Sequence, residues 1–185
     1  MNDCLFFGLN QYPILIKNEA NKITKPIQFK FENENENENE NEKQIKQISS
    51  ENIQKVTVGY QNEAILTIEG NVFAKGKYIN SKNPNEFINI SSLIEDTNDR
   101  IIQDIVSGRF SIYLLTSNQN AYGIGLNDYC QLGFDFRKIL KTEKPILMMK
   151  NVSKIFSGNS SYFVFLLNSN QELFVVVGIN MVKLD

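Results

Sequence analysis

Residues 59–78, GYQNEAILTIEGNVFAKGKY, lie without a gap over residues 108–127, GRFSIYLLTSNQNAYGIGLN. Gly59 falls on Gly108, Leu66 on Leu115, Thr67 on Thr116, Phe73 on Tyr122 and Gly76 on Gly125, at an offset of 49 residues. A third copy opens at Gly158, 50 residues further on, and aligns after small insertions. Its Leu166, Leu167, Ser169, Asn170 and Gln171 then meet Leu114, Leu115, Ser117, Asn118 and Gln119, and Phe174 meets Tyr122. At the start of the chain, Leu5-Phe6-Phe7-Gly8-Leu9-Asn10 has the form of a unit's ending, and Lys25-Pro26-Ile27 resembles Lys144-Pro145-Ile146. Self-similarity at a fixed period is the mark of a repeat architecture, and it takes precedence over any residue-by-residue reading.

Each unit reads as strands. Short β-branched or aromatic runs precede the first glycine: Val56-Thr57-Val58, Ile105-Val106 and Ile155-Phe156. Residues 64–68, 112–115 and 162–167 follow it, then a polar turn, then a closing apolar strand at 72–74, 121–123 or 173–177. A strand after Pro26 or Pro145 brings each unit to four, and no segment has the spacing of a long amphipathic helix. A four-stranded sheet of this length cannot bury both its faces alone, so it must stack on its own kind. Radial stacking of such sheets is a β-propeller. The expected fold is all-β: propeller blades, each a four-stranded antiparallel sheet, in an incomplete ring or open arc. Residues 1–185 form one repeat domain in this reading. A terminal strand lies in 1–10, and units span 24–80, 86–135 and 144–180. An acidic low-complexity insertion at 32–42 falls between two strands of the first unit.

The pattern of Gly59, Thr67, Gly70, Val72, Phe73 and Gly76 resembles the regulator of chromosome condensation repeat. The string Gly125-Leu126-Asn127-Asp128-Tyr129-Cys130-Gln131-Leu132-Gly133, a Gly-x-Asn-x-x-x-Gln-Leu-Gly motif, carries the resemblance most specifically. The signature residues are Gly8, Asn10, Gly59, Gly70, Gly76, Gly108, Gly125, Asn127, Gln131, Leu132, Gly133, Gly158 and Gly178. Two departures stand out: Asn62, Ser111 and Ser161 replace the family's histidine, and the third unit has Gln171 near the place of Gly70. The resemblance implies a ring of about seven blades, with activities divided between nucleotide exchange on a small GTPase and plain protein binding. Three and a half units do not close such a ring, which leaves a fragment, an open arc, or a piece completed by another chain.

The chemistry points the same way. With no histidine, Ser-His-Asp triads and imidazole metal sites are excluded. Cys4 and Cys130 stand far apart outside any Cys-x-x-Cys motif and read as reduced thiols. Asp96, Asp99, Asp104, Asp128 and Asp135 have no metal-ligand spacing and read as turn residues. The glycines serve turns and sheet packing, and Phe73, Tyr122, Tyr162, Phe163, Phe165 and Phe174 read as packing between blades. No dense Lys/Arg cluster supplies the footprint of a nucleic-acid or membrane-surface binder. Met1-Asn2-Asp3 has no basic segment of a signal peptide, so cytoplasm or nucleus is the expected address.

The expected function is therefore a non-enzymatic protein-interaction module without cofactor or metal, binding through its blade-connecting loops. Asp128 and Tyr129 are the candidate partner contacts, because they sit in the turn after Asn127. The partner is a protein, either a small GTPase or a subunit completing the propeller, and exposed apolar edges favour self-association. Guanine-nucleotide exchange is one alternative function, and an architectural role in a large complex is another. The Glu/Asn run has no apolar face to bury and reads as a solvated loop. Deleting Asn33 to Asn41 is expected to leave the melting temperature nearly unchanged, since loop closure entropy changes only slowly with length. A loss of several degrees in a thermal melt would show that the run packs.

Overall fold

The computed structural model describes residues 5–9, 22–28, 50–177 and 180–184, which fall in two compact units, 1–53 and 54–185. In the first unit, β1 (Leu5–Leu9) pairs antiparallel with β2 (Lys22–Gln28). The second unit carries three four-stranded antiparallel sheets. The first consists of β3 (Ile53–Val58), β4 (Asn62–Thr67), β5 (Val72–Gly76) and β6 (Ile88–Asn89). Next come β7 (Ile102–Ser107), β8 (Ser111–Thr116), β9 (Ala121–Leu126) and β10 (Lys141–Met149). The last has β11 (Val152–Phe156), β12 (Val164–Asn168), β13 (Leu173–Val177) and β14 (Asn180–Leu184). Within each sheet the strands follow chain order, and the helical turns among the described residues are short 3₁₀ segments. These are open propeller blades.

Strand burial shows how the blades stack. Every residue of β8 and β9 is buried, so the middle sheet is covered on both faces. Ile112, Leu114 and Ile124 join Leu66, Val72 and Ala74 in one apolar core. Tyr113, Leu115 and Ala121 point the other way and pack with Val152, Val164, Leu166 and Val176 in a second core. Alternation along a strand thus feeds two interfaces at once. The third sheet is covered on one face. On the other, Phe156, Phe165, Val175 and Val182 form a cross-strand row, with Phe156 and Val182 exposed and the two between them half-buried.

Main-chain bonds fix the stacking. Gly70, Gln119 and Gln171 occupy equivalent turns with φ of 82°, 63° and 64°. The turn repeats because Thr67, Thr116 and Asn168 each accept, through a side-chain oxygen, the N–H four residues on, from Asn71, Asn120 and Glu172. The left-handed residue's carbonyl is left facing outward. That of Gly70 accepts Ile102 N–H at 2.9 Å, and that of Gln119 accepts Val152 N–H at 2.7 Å, each from the first strand of the following blade. Gln171 fills the place of Gly70 with a residue that tolerates the conformation less well.

The phase of the blades differs from that of the sequence units. The strand containing Pro145 pairs with β9, and the one containing Pro26 pairs with β1, so both pair with the strand that precedes them instead of opening the next unit. Proline has no N–H for a ladder, and both strands solve this in the same way. Three residues ending in Pro26 or Pro145 oppose the single residue Phe7 or Ile124, between the pairs Gly8↔Ile23 and Phe6↔Ile27 or Gly125↔Thr142 and Gly123↔Ile146. Periodicity gives the repeat length and not the sheet boundary, which is set by whichever strand edge the returning chain can reach first. The described strands on either side of positions 32–42, β2 and β3, accordingly belong to different sheets. The third sheet also gains a fourth strand, β14, beyond the expected closing strand at 173–177. Positions 32–42, Asn10, Gly178 and Cys4 lie outside the described residues.

Gly76 and Gly125 stand at the same place at the end of a third strand, with φ of 141° and 117°. A Cβ there would collide with the carbonyl oxygens of Gln61 and Phe110 respectively. Gly125→Ala is expected to lower unfolding stability by at least about 1 kcal/mol, since both the backbone angle and the space exclude a methyl group. A urea midpoint equal to that of the unaltered chain would refute this.

Candidate partner-binding face

In an up-and-down sheet, the loops joining first to second and third to fourth strands share one end. Here that end collects residues 59–61, 108–110 and 157–163 with 77–87 and 127–140. The first set is tied across blades by backbone bonds: Tyr60 N–H donates to Arg109 O at 3.1 Å, and Arg109 N–H to Ser161 O at 2.9 Å. Gly59 permits the close approach, because a Cβ on it would strike Gly108 O. Asn62, at the position where the resembled family has histidine, donates through Nδ2 to the carbonyls of Gly108 and Arg109 at 3.3 and 3.2 Å.

These ties gather a cluster of rings around one cation. The Arg109 guanidinium lies 4.8 Å from the Tyr60 ring, 5.1 Å from Tyr162 and 5.3 Å from Phe110. Phe110 meets Tyr60, Tyr78 and Tyr162 edge-on, and Tyr129 leans on Tyr162 at 4.5 Å. Tyr129 is 58% exposed and Tyr60 41%. Contacts of this kind contribute about 0.5–1 kcal/mol each when exposed, and here they hold the side chains in place at the surface.

The Gly-x-Asn-x-x-x-Gln-Leu-Gly segment presents Tyr129. Asn127 is fully buried: its Oδ1 accepts Leu132 N–H at 2.8 Å, and its Nδ2 donates to Phe134 O at 2.9 Å and Ile139 O at 2.7 Å. Gln131 Oε1 accepts Tyr129 N–H, and its Nε2 donates to Asp128 Oδ1 at 3.2 Å. Leu132 fills the core between the second and third blades, and Gly133 has φ of 79°. Tyr129 therefore stands outward on a rigid loop, whereas Asp128 is engaged with Gln131. Gly108 faces Ser161 O of the next blade, Gly158 lies in the exposed loop after β11, and Gly8 is in β1.

Arg109, Tyr60 and Phe110 were not singled out in the sequence, although each follows a repeat glycine within two residues. The sequence pattern places Tyr162 in a strand, but β12 begins only at Val164, and Tyr162 belongs to the ring cluster. Phe73 and Tyr122 are core residues, while Phe163 is exposed. Charge divides between the two ends. On the loop end just described, Glu86, Asp128 and Asp135 are outnumbered by Lys77, Lys82, Arg109, Arg137 and Lys138. The opposite end has Glu69, Glu95, Asp96, Asp99 and Glu172 against Arg100 and Lys150.

Asp99 at that opposite end is not a plain turn residue. It is 2% exposed and accepts from Tyr122 Oη at 2.7 Å, Asn120 Nδ2 at 2.8 Å and Asn118 Nδ2 at 3.1 Å. Burial disfavours its charge, but these donors together outweigh burial and hold the carboxyl below its ordinary range. Burial, then the Asp99 carboxylate, pushes the Tyr122 phenol up. An open polar groove of about 650 Å³ runs from here along β10, lined by Asp96, Asp99, Tyr122, Lys141, Glu143 and Lys150 among others. In the first blade, Glu63 and Lys75 form a buried cross-strand pair at 3.7 Å, and burial raises the Glu63 carboxyl to about 7. Among the described residues, no three His, Cys, Asp or Glu side chains converge as a metal site would require, and no helix is long and apolar enough to cross a membrane.

Because the Asp99 carboxyl is depressed in the folded chain, its stabilisation is present above the unfolded value, about pH 4, and fades as pH falls through the lower folded value. Asp99→Asn is expected to cost about 1–3 kcal/mol at neutral pH. The gap in urea midpoint should narrow on acidification below about pH 4. A gap independent of pH would show that the charge is not what the network holds.

The fold and the loop ends define a class: a run of propeller blades with a ring-rich loop face. No family model matches the chain. Over 129 residues, 66% of its length, it is 27% identical to the E3 ubiquitin-protein ligase HERC2 of Homo sapiens and to that of Mus musculus. It spans only 3% of the length of those relatives. Among solved structures, Prp20p from Saccharomyces cerevisiae is similar with a TM-score of 0.65 at 17% identity, over 94% of this chain and 40% of that one. Yeast RCC1 (Prp20) bound to Kap60 gives 0.60 at 15%, over 90% and 41%, and human WBSCR16 gives 0.54 at 12%, over 71% and 37%. The chain is built of β-propeller blades, similar in fold to those of the yeast regulator of chromosome condensation structures.

Proposed function

We propose that the chain is a non-catalytic protein-binding module that engages its partner through the loop end carrying Tyr60, Arg109, Tyr129 and Tyr162. The observation that carries this reading is the placement of Tyr129. A ring more than half exposed, on a loop fixed by buried Asn127 and Gln131, loses little freedom on binding. Tyrosine and arginine are the residue types that dominate protein interfaces when they sit on such supports.

A second reading is regulation of a small GTPase, favoured by the likeness to Prp20p, which was characterised by its binding to Gsp1p and histones. A photo-crosslinking residue at position 129 is expected to yield a discrete adduct in cells, and the same probe at Glu69, on the opposite end, none. Tyr129→Ala should weaken binding to the identified protein at least about tenfold without changing the melting temperature. Equal labelling from both ends would remove the proposal. Accelerated nucleotide release from a Gsp1p-type GTPase would favour the second reading.

A further inference from the structure

We infer that the Arg109 guanidinium is a receptor for a carboxylate side chain of the partner, so that this face takes an extended acidic segment flanked by a residue that packs on Tyr129. The inference rests on the reading of this loop end as the binding face and adds the chemistry of what binds there.

Arg109 is half-buried and lacks the anion such a group usually finds. No carboxylate among the described residues pairs with it, and its Nε is buried without a hydrogen-bond partner. Its contacts are the three rings. The loop end offers acids, but they are engaged elsewhere: Asp135 pairs with Arg137, Glu86 accepts from Asn83, and Asp128 accepts from Gln131. A buried guanidinium N–H without an acceptor is costly, and a carboxylate drawn to the rest of the group would offset that cost.

Ring packing adds orientation to charge. The Arg109 backbone is fixed to Ser161 on one side and to Tyr60 on the other, and three rings flank the guanidinium before a ligand arrives. A guanidinium held this way presents parallel N–H groups, which match the two oxygens of a carboxylate. The basic surplus on this end would guide an acidic segment to it, and the acidic opposite end would repel one. Tyr129, packed on Tyr162 beside Arg109, supplies an adjoining exposed apolar surface.

The test uses the full chain as bait for a displayed library of random dodecapeptides, followed by affinity measurements with the selected peptides. Selected binders are expected to share an Asp or Glu at one fixed position. They should bind about ten- to a hundredfold more weakly to Arg109→Gln, as loss of a charge-assisted bidentate contact requires. Arg109→Lys keeps the charge without the fork and should recover only part of the loss, with thermal melts confirming that both variants fold. Replacing the shared acid by Asn or Gln should remove the difference between the wild-type chain and Arg109→Gln. Binders without a shared acid that still weaken on Tyr129→Ala would overturn the Arg109 inference and leave the binding face standing. Selection of no binder affected by either position, or of none at all, would overturn both.

Discussion

A carbonyl on a left-handed turn residue joins one blade to the next, and the rest of the structure depends on that bond being available. Gly70 and Gln119 carry it, and the first strand of the following blade is hung from each. Once this anchor is set, alternation along the strands decides which residues enter which core. The turn itself is selected by a side-chain oxygen at its first residue, Thr67, Thr116 or Asn168. A local hydrogen bond thereby determines a long-range junction.

The same anchoring shapes the surface. At the opposite end of the strands the junction is made by Tyr60 N–H to Arg109 O and Arg109 N–H to Ser161 O. The rings and the guanidinium that decorate these residues come together because the backbones carrying them are already joined. The middle blade, whose inner strands β8 and β9 are buried throughout, is thus also the one that positions the cation. Asp99 does comparable work at the other end, where it ties the segment before β7 to the turn between β8 and β9. One end is closed by a satisfied carboxylate, and the other holds a guanidinium that faces rings in place of an acid.

The blades were legible in the sequence because each is encoded by neighbours: glycine at a strand end, threonine at a turn, apolar residues at period two. The positions of β4, β5, β8 and β9 follow from that pattern alone. Sheet phase was not legible, because the strand after Pro145 joins β9 across the residues 127–140, and nothing local states which edge it will meet. The ring cluster was hidden for a related reason. Tyr60, Arg109 and Tyr162 are each unremarkable in their own unit and acquire meaning only by superposing the units and looking one or two residues past the glycine. Tyr129 was visible because its motif is contiguous, and Asp99 was not because its three donors lie in a different hairpin.

Gln171 holds the turn geometry of Gly70 and Gln119 on the third blade, beside the open row of Phe156, Phe165, Val175 and Val182. Coupling between blades is therefore unequal along the chain: the middle blade is gripped from two sides and the third from one. In a solenoid-like arrangement each unit's stability is its own plus what its neighbours lend. Among the described blades, whatever loosens the third reaches the middle one through the Gln119–Val152 bond and their shared core. The Arg109 site, whose Tyr162 wall belongs to the third blade, would come apart in that same step.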